Sequence, residues 1–213
     1  MIESQAIQKM SENLPSDFVA VINKMFQTSG RIIVSGIGKS GHIGNKIAST
    51  LASTGTPAYF VHAAEASHGD LGMIAEDDFC LLISNSGETP ELRDIVAHTR
   101  RFSIPMAGIS SAPDSTLMKA ADYKLVLPKS PEACSIGMAP TTSTTLTLAL
   151  GDALAVALME QRNFKAENFE IFHPGGKLGA QLTTVKQLMH VGDQLPLVDG
   201  DLPMPETLLE MTS

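Results

Sequence analysis

Apolar positions near the start of the chain, Ile7, Met10, Leu14, Phe18, Val21, Ile22, Met25 and Phe26, recur every three or four residues, and Pro15 interrupts them. That period is a helix face broken once, so one or two leading helices are expected. Beyond them the period changes. Short runs rich in β-branched and aromatic residues, RIIVS, PAYFV, FCLLIS, PMAGIS and YKLVL, alternate with helical patterns such as Ile43, Ile47 and Leu51 and a helix from about Pro90. Continuous apolar strands separated by helices predict an α/β fold with a parallel sheet covered on both faces. After YKLVL, Ala139 to Met159 reads as a long core helix. Its apolar part, Leu146 to Met159, holds Asp152 and reads as too short to span a bilayer. ENFEIFHPGGKLG is a second glycine-rich break, and from Val185 the pattern gives way to a tail with three prolines that looks like the start of another module.

Composition narrows what such a fold can bind. At 213 residues the chain is one domain with something appended. A formal net charge of -8 supplies no basic field for nucleic acid or for an anionic membrane, so an anionic ligand must be held by a local site. Cys80, in an apolar run, and Cys134, in a loop, are too few and too isolated for a metal cluster or a disulfide framework, and both read as reduced thiols of a cytoplasmic protein. The opening MIESQAIQKM lacks the basic end and apolar stretch of a signal peptide.

Two stretches carry candidate chemistry, and both directly follow an apolar strand. In SGIGKSGHIG, Gly36, Gly38 and Gly41 spell G-x-G-x-x-G ahead of a helix, with Lys39 and Ser40 adding a charge and a hydroxyl. A nucleotide P-loop would need a glycine where Ile33 stands. A dinucleotide site would need an acid at the end of the next strand, where His62 stands. What remains is a helix N-terminus whose backbone amides favour an anion. In SNSGETPE, Ser84, Asn85, Ser86 and Thr89 surround Gly87 ahead of Pro90, a residue suited to a first helical turn. Either loop alone is as well explained by turn formation and helix capping. Together they make a cradle for one phosphate monoester. Glu91, Glu132, His68 and His173 are the reactive candidates, each in a loop, although a lone glutamate is usually solvated and a lone histidine usually structural. His62 and His68 are not spaced as a helical metal pair.

SGIGKSGHIG, TPAYFVHAAEASHGDLG, SNSGETPEL, PEACSIGMAPTTSTT and FHPGGKLGAQL, in this order, resemble the sugar isomerase (SIS) domain of the D-arabinose-5-phosphate isomerases, over about Met1 to Leu182. HGDLG, MAPTTSTT and HPGGKLGA are the specific stretches; SNSGETPEL is nearer the general SIS pattern. The resemblance implies a Rossmann-like three-layer sandwich over residues 1–184. It implies interconversion of D-ribulose 5-phosphate and D-arabinose 5-phosphate on the way to the Kdo sugar of lipopolysaccharide or capsule, with no required cofactor. It puts catalytic roles on Lys39, Glu91, Glu132 and His173, and substrate contacts on Ser40, Gly55, Thr56, His68, Ser84, Asn85, Ser86 and Thr89. It puts an inhibitory zinc at His62, and the assembly expected is a homotetramer. VKQLMHVGDQLPLV, within residues 185–213, resembles the first strand of a CBS module that Ser213 cuts short.

Such an isomerase needs a carbon base poised near neutrality and donors for an enediolate oxyanion. Glu132 or Glu91 would be the base, with burial raising its pKa, His173 the oxygen acid/base, and Lys39 the opposing cation. The rival readings are a non-catalytic SIS sensor, which has no need of the glutamates and histidine, and an isomerase of another sugar phosphate.

Overall fold

The computed structural model describes residues 1–173, 185–192, 195 and 197–210. The chain divides into two compact units, Met1–Phe169 and Glu170–Ser213. In the first unit the leading amphipathic segment folds as α1 (Ile2–Glu12) and α2 (Phe18–Gln27), parted at the Pro15 break. Alternation then runs β1 (Ile32–Gly36), α3 (Gly38–Ser53), β2 (Ala58–His62), α4 (Ala63–Ala66), β3 (Phe79–Ile83), α5 (Arg93–Arg101), β4 (Met106–Ser110), α6 (Thr116–Ala120), β5 (Tyr123–Val126) and α7 (Thr142–Gln161). A short 3-10 turn at Pro90–Leu92 leads into α5, because Pro90 fixes the first turn where no backbone donor is needed.

All strand pairs are parallel, in the order β2-β1-β3-β4-β5. Gly36 stands opposite His62 on one side and Ile83 on the other, so these three strands end level. Side chains alternate between two cores, as period-two geometry requires. Ile32, Val34, Phe79, Leu81 and Ile83 pack with α1, α2, α3 and α7. Ile33, Cys80, Leu82 and Met106 pack with α4, α5 and α6. Cys80 is therefore a core residue, and burial together with the Asp78 charge pushes its thiol up to about 12.

The long core helix spans 20 residues, more than its apolar run suggested, and by length and composition alone such a helix is able to cross a bilayer. Packing decides otherwise: Leu146, Leu150, Leu154, Ala155 and Leu158 are buried in the first core. Gly151 is pressed against the Ile47 side chain, a close helix crossing that a Cβ would obstruct, and Lys46 pairs with Asp152 across the same contact.

The division falls within α8 (Ala166–Phe172), and in the second unit short helices occupy Val185–Leu188 and Met204–Glu210. The strand expected in VKQLMHVGDQLPLV is not found among the described residues; Val185–Leu188 is helical. A strand needs a neighbour to satisfy its backbone, whereas a helical turn satisfies part of it internally.

Leu154→Ala should lower stability by about 2 to 5 kcal/mol, the cost of a large-to-small change in a closed core. A reduced urea midpoint at unchanged m-value would show it.

Candidate active site

In an open parallel sheet, ligands bind outside the carboxyl ends of the strands, at the point where the strand order reverses. Here β1 is followed in space by β2 on one side and β3 on the other, so the reversal falls between β1 and β3. Those are the two strands whose exits carry SGIGKSG and SNSGETPE. The fold thus brings both nominated loops side by side.

Three glycines let α3 start hard against the sheet. A Cβ at Gly41 would sit 3.0 Å from the Gly36 carbonyl, and one at Gly36 would sit 3.2 Å from the Ile83 carbonyl. Gly38 turns the chain at φ +56, a left-handed conformation that favours glycine. No side chain caps this helix start, and the N–H groups of its first turn face the carboxyl end of the sheet. Lys39 is exposed and Ser40 half-buried in that turn.

The second loop is built from its own hydroxyls. The buried Ser84 Oγ accepts from the Gly87 N–H at 3.0 Å and lies 2.7 Å from Thr89 Oγ1, while Ser86 Oγ accepts from the Glu88 N–H at 3.2 Å. Asn85 and Ser86 are exposed at the tip. The Asn85 carbonyl takes hydroxyl hydrogen bonds from Ser110 and Ser111, each at 3.0 Å, which ties the tip to the end of β4. Glu88, the acid within this loop, is tied to α6: its two oxygens accept from the Thr116 N–H at 2.8 Å and the Thr116 hydroxyl at 2.7 Å. Those two bonds hold its carboxyl below the usual range, helped by Lys119 and Arg93. Gly87 (φ +68) lies directly against the Ser115 hydroxyl.

Glu132 lies in the segment between β5 and α7. Its Oε2 accepts from the Thr141 N–H at 2.7 Å, the Thr141 hydroxyl at 3.1 Å and the Ser143 N–H at 3.3 Å, so it caps the start of α7. Partial burial pushes this carboxyl up, but the Ser143 hydroxyl, the Thr141 and Ser143 N–H groups and the Thr141 hydroxyl outweigh it and hold the carboxyl below its ordinary range. The expected upward shift is therefore reversed, because the helix start supplies donors that burial alone would not. Ser143 also lines a cleft of about 30 Å³ with Asn85, Ser111, Lys129 and Ser130, so a residue bonded to Glu132 shares that cleft with the second loop's tip.

The other candidates are distributed as follows. Glu91 is exposed in the 3-10 turn that follows the second loop. His62 ends β2 beside Gly36, and His68 is exposed just beyond α4, both on the carboxyl side of the sheet. Gly55 and Thr56 are not brought to this end: they precede β2 at the amino end, where Gly55 packs on the Phe164 ring and the Thr56 hydroxyl accepts from Arg162 Nε at 3.1 Å. His173 follows α8 and belongs to the second unit. The rest of the HPGGKLGA stretch, within residues 174–184, lies outside the described residues. Among the described residues no three His, Cys, Asp or Glu side chains are grouped to hold a metal ion, so His62 has no complete ligand set among them.

Sequence reasoning singled out none of Ser111, Ser130, Thr141 and Ser143; Ser111 directly follows the PMAGIS strand, and Thr141 and Ser143 lie in the MAPTTSTT stretch. It also missed where buried polar cost collects. Ser35, Ser115 and Thr142 are buried hydroxyls with no partner among the described residues, and all three belong to the carboxyl end.

An open parallel sheet with an uncapped helix start and a hydroxyl-lined loop at its reversal point is the arrangement at which α/β folds place a ligand site. The SIS domain model matches residues 25–157, and the chain belongs to the SIS domain family. It is 48% identical over 212 residues to "Arabinose 5-phosphate isomerase KdsD" of Yersinia pestis, covering 99% of this chain and 65% of that relative, so it spans about two thirds of the curated relative's length. Among solved structures it matches E. coli CFT073 c3406 in complex with arabinose 5-phosphate, with TM-score 0.79 and 39% identity over 81% of this chain and 92% of that one. It also matches a Bacteroides fragilis putative phosphosugar isomerase involved in capsule formation, with TM-score 0.76 and 38% identity over 82% and 93%.

Gly87→Ala should weaken binding of a phosphate ester at least tenfold, because the new Cβ meets both Ser115 and a positive φ; isothermal titration measures it. The Glu132 hydrogen bonds predict a pH-dependent stability. With the folded pKa depressed, the stabilisation is present above the ordinary glutamate pKa and disappears as pH falls through the folded value. The Tm difference between wild type and Glu132→Gln should therefore shrink as pH drops from about 7 toward about 3.

Proposed function

We propose that this chain is an aldose-ketose isomerase that interconverts D-ribulose 5-phosphate and D-arabinose 5-phosphate. The observation that carries the reading is the meeting of two loops at the β1/β3 reversal, one an uncapped helix start with Lys39, the other a hydroxyl loop with no arginine. Dipoles, hydroxyls and one flexible cation suit a single terminal phosphate on a small, otherwise polar ligand. The names of the curated relatives and the arabinose 5-phosphate complex of a 39% identical protein support the same substrate class.

In this reading the phosphate end is held by Ser84, Ser86, Thr89 and the first turn of α3, and the carbonyl end lies toward the β5–α7 segment. A carboxylate takes a proton from C1 of the ketose, forming an enediolate, and returns a proton to C2. Meanwhile the C2 oxygen gains a proton and the C1 oxygen loses one, the exchange assigned to His173. Lys39 opposes the anionic charge. Glu132 is the better placed base of the two glutamates, since its hydrogen bonds fix its position and keep it ionised through neutral pH. The cost is lower basicity, which oxyanion stabilisation must offset. His68 and Ser40 are assigned to substrate contact.

The functional form is assigned as a homotetramer. Ile2 and Ile7 on α1, Val19 on α2 and Val156 on α7 are exposed apolar side chains on helices that pack against one another, a surface that a second copy would cover.

Incubation with a panel of pentose and hexose phosphates should convert ribulose 5-phosphate to arabinose 5-phosphate with solvent deuterium entering at C2. Conversion of none of them, or of a hexose phosphate alone, overturns the assignment. Sedimentation equilibrium at micromolar concentration should give about four times the 22.6 kDa chain mass, and a monomer would refute the assembly.

A further inference from the structure

The segment that carries Glu132 is held to α7 by a relay that no motif announced. The Thr141 hydroxyl accepts from the Ala133 N–H at 2.8 Å and donates to Glu132 Oε2 at 3.1 Å. Because its oxygen is occupied by an incoming donor, its own proton is directed at the carboxylate, and each bond strengthens the other. The Thr141 N–H adds a second bond to the same oxygen at 2.7 Å, and the Ser143 N–H a third at 3.3 Å. All three fall on Oε2, and the Ser143 hydroxyl adds a further bond to the same carboxylate. A carboxylate pinned through one oxygen keeps the other for a proton.

We infer that Thr141 is a positioning residue: it anchors Glu132 by Oε2 at the start of α7 and so presents Oε1 as the oxygen that exchanges the substrate carbon proton. This rests on the isomerase reading and on Glu132 as its base. Thr141 touches no reacting atom. It acts by removing rotational freedom from a long, flexible side chain, the kind of placement on which proton transfer between carbon and carboxylate depends. It also preserves the charged form, since burial of the segment without these donors would favour protonation.

Among the described residues the ionisable groups on the surrounding elements are few. Glu3 of α1 has its Oε1 engaged by the Thr145 hydroxyl at 3.1 Å, one turn further along α7. Lys129 and Cys134 belong to the Glu132 segment itself, and the Cys134 sulfur accepts from the Met138 and Ala139 N–H groups, both at 3.1 Å. Thr142 to Gly151, the first half of α7, carries no charged side chain. The Ser143 and Thr141 hydroxyls are the side-chain donors that hold Glu132 ionised, and Thr141 is the one that also ties the carboxylate to its own segment through the Ala133 N–H.

Two variants test this. Thr141→Val keeps the shape and the N–H but deletes the hydroxyl, and Thr141→Ser keeps the hydroxyl. In Thr141→Val, kcat for ribulose 5-phosphate should fall about tenfold or more with KM within about twofold, and the acid limb of the kcat/KM profile should move to higher pH. Thr141→Ser should restore both. An unchanged kcat and acid limb in Thr141→Val would overturn the inference, as would equal losses in Thr141→Ser. A readout independent of turnover is the carboxyl ¹³C titration of Glu132, assigned by its loss in Glu132→Gln. It should lie below the ordinary glutamate value in wild type and rise in Thr141→Val, and no rise would equally sink the inference. A wild type that isomerises no sugar phosphate yet shows that rise would overturn the isomerase reading while supporting Thr141 as the carboxylate's anchor.

Discussion

The close contact between β1 and the first turn of α3 is the constraint on which the rest of the site depends. It exists because Gly36 and Gly41 present no Cβ, and Gly44 extends the close approach one turn along α3. At Gly44 a Cβ would meet Phe60 at 3.1 Å, Val34 at 3.2 Å and Ile83 at 3.3 Å, so strand, neighbouring strand and helix share one narrow space. With that space available, α3 begins immediately over the sheet, and its unpaired N–H groups stand beside the exit of β3. Any larger residue there would lift the helix and separate its dipole from the hydroxyl loop. The same contact sets the level at which β2, β1 and β3 end, and hence the position of His62 next to the turn.

Around that contact the molecule keeps like charges apart. In a chain of net charge -8, carboxylates close to two uncapped or hydroxyl-lined loops repel one another unless each is tied to its own donors. Glu88 is drawn to Thr116 and Glu132 to Thr141 and Ser143, each carboxylate satisfied by a hydroxyl-bearing residue and a backbone donor at the start of a helix. Both stay ionised and both are directed toward helix starts. Neighbouring Asn85 is tied down through its carbonyl, which leaves its side chain outward at the tip. The threonine- and serine-rich stretch before α7 thus does two things at once: it caps the longest core helix and orients the glutamate nearest the cleft.

Much of the architecture was legible in order and spacing. The five apolar runs became five parallel strands because each is bounded by turn residues and too short for a buried helix. The two loops were nominated correctly as neighbours at strand ends, since in α/β folds the glycine-rich turn after a strand has only one end of the sheet to occupy. Less was legible where function depends on contacts distant in the chain. Gly55 and Thr56 carry the residue types of a site, yet lie at the amino end against Phe164 and Arg162, with 106 positions of sequence between the partners of the Thr56–Arg162 bond. Glu132 looked like a glutamate that burial would make more basic, and the donors that reverse the effect come from nine and eleven residues further on.

By itself, then, the sequence determined the alternation of strands and helices, the glycine positions that allow a helix to start on a strand, and the residue types in the cradle, because these depend on local periodicity and steric size. Only the tertiary structure decided which side of β1 the third strand joins, which end of the sheet each polar residue reaches, and in which direction the pKa of Glu132 moves. Those depend on strand order and on hydrogen bonds between segments whose proximity no local pattern encodes.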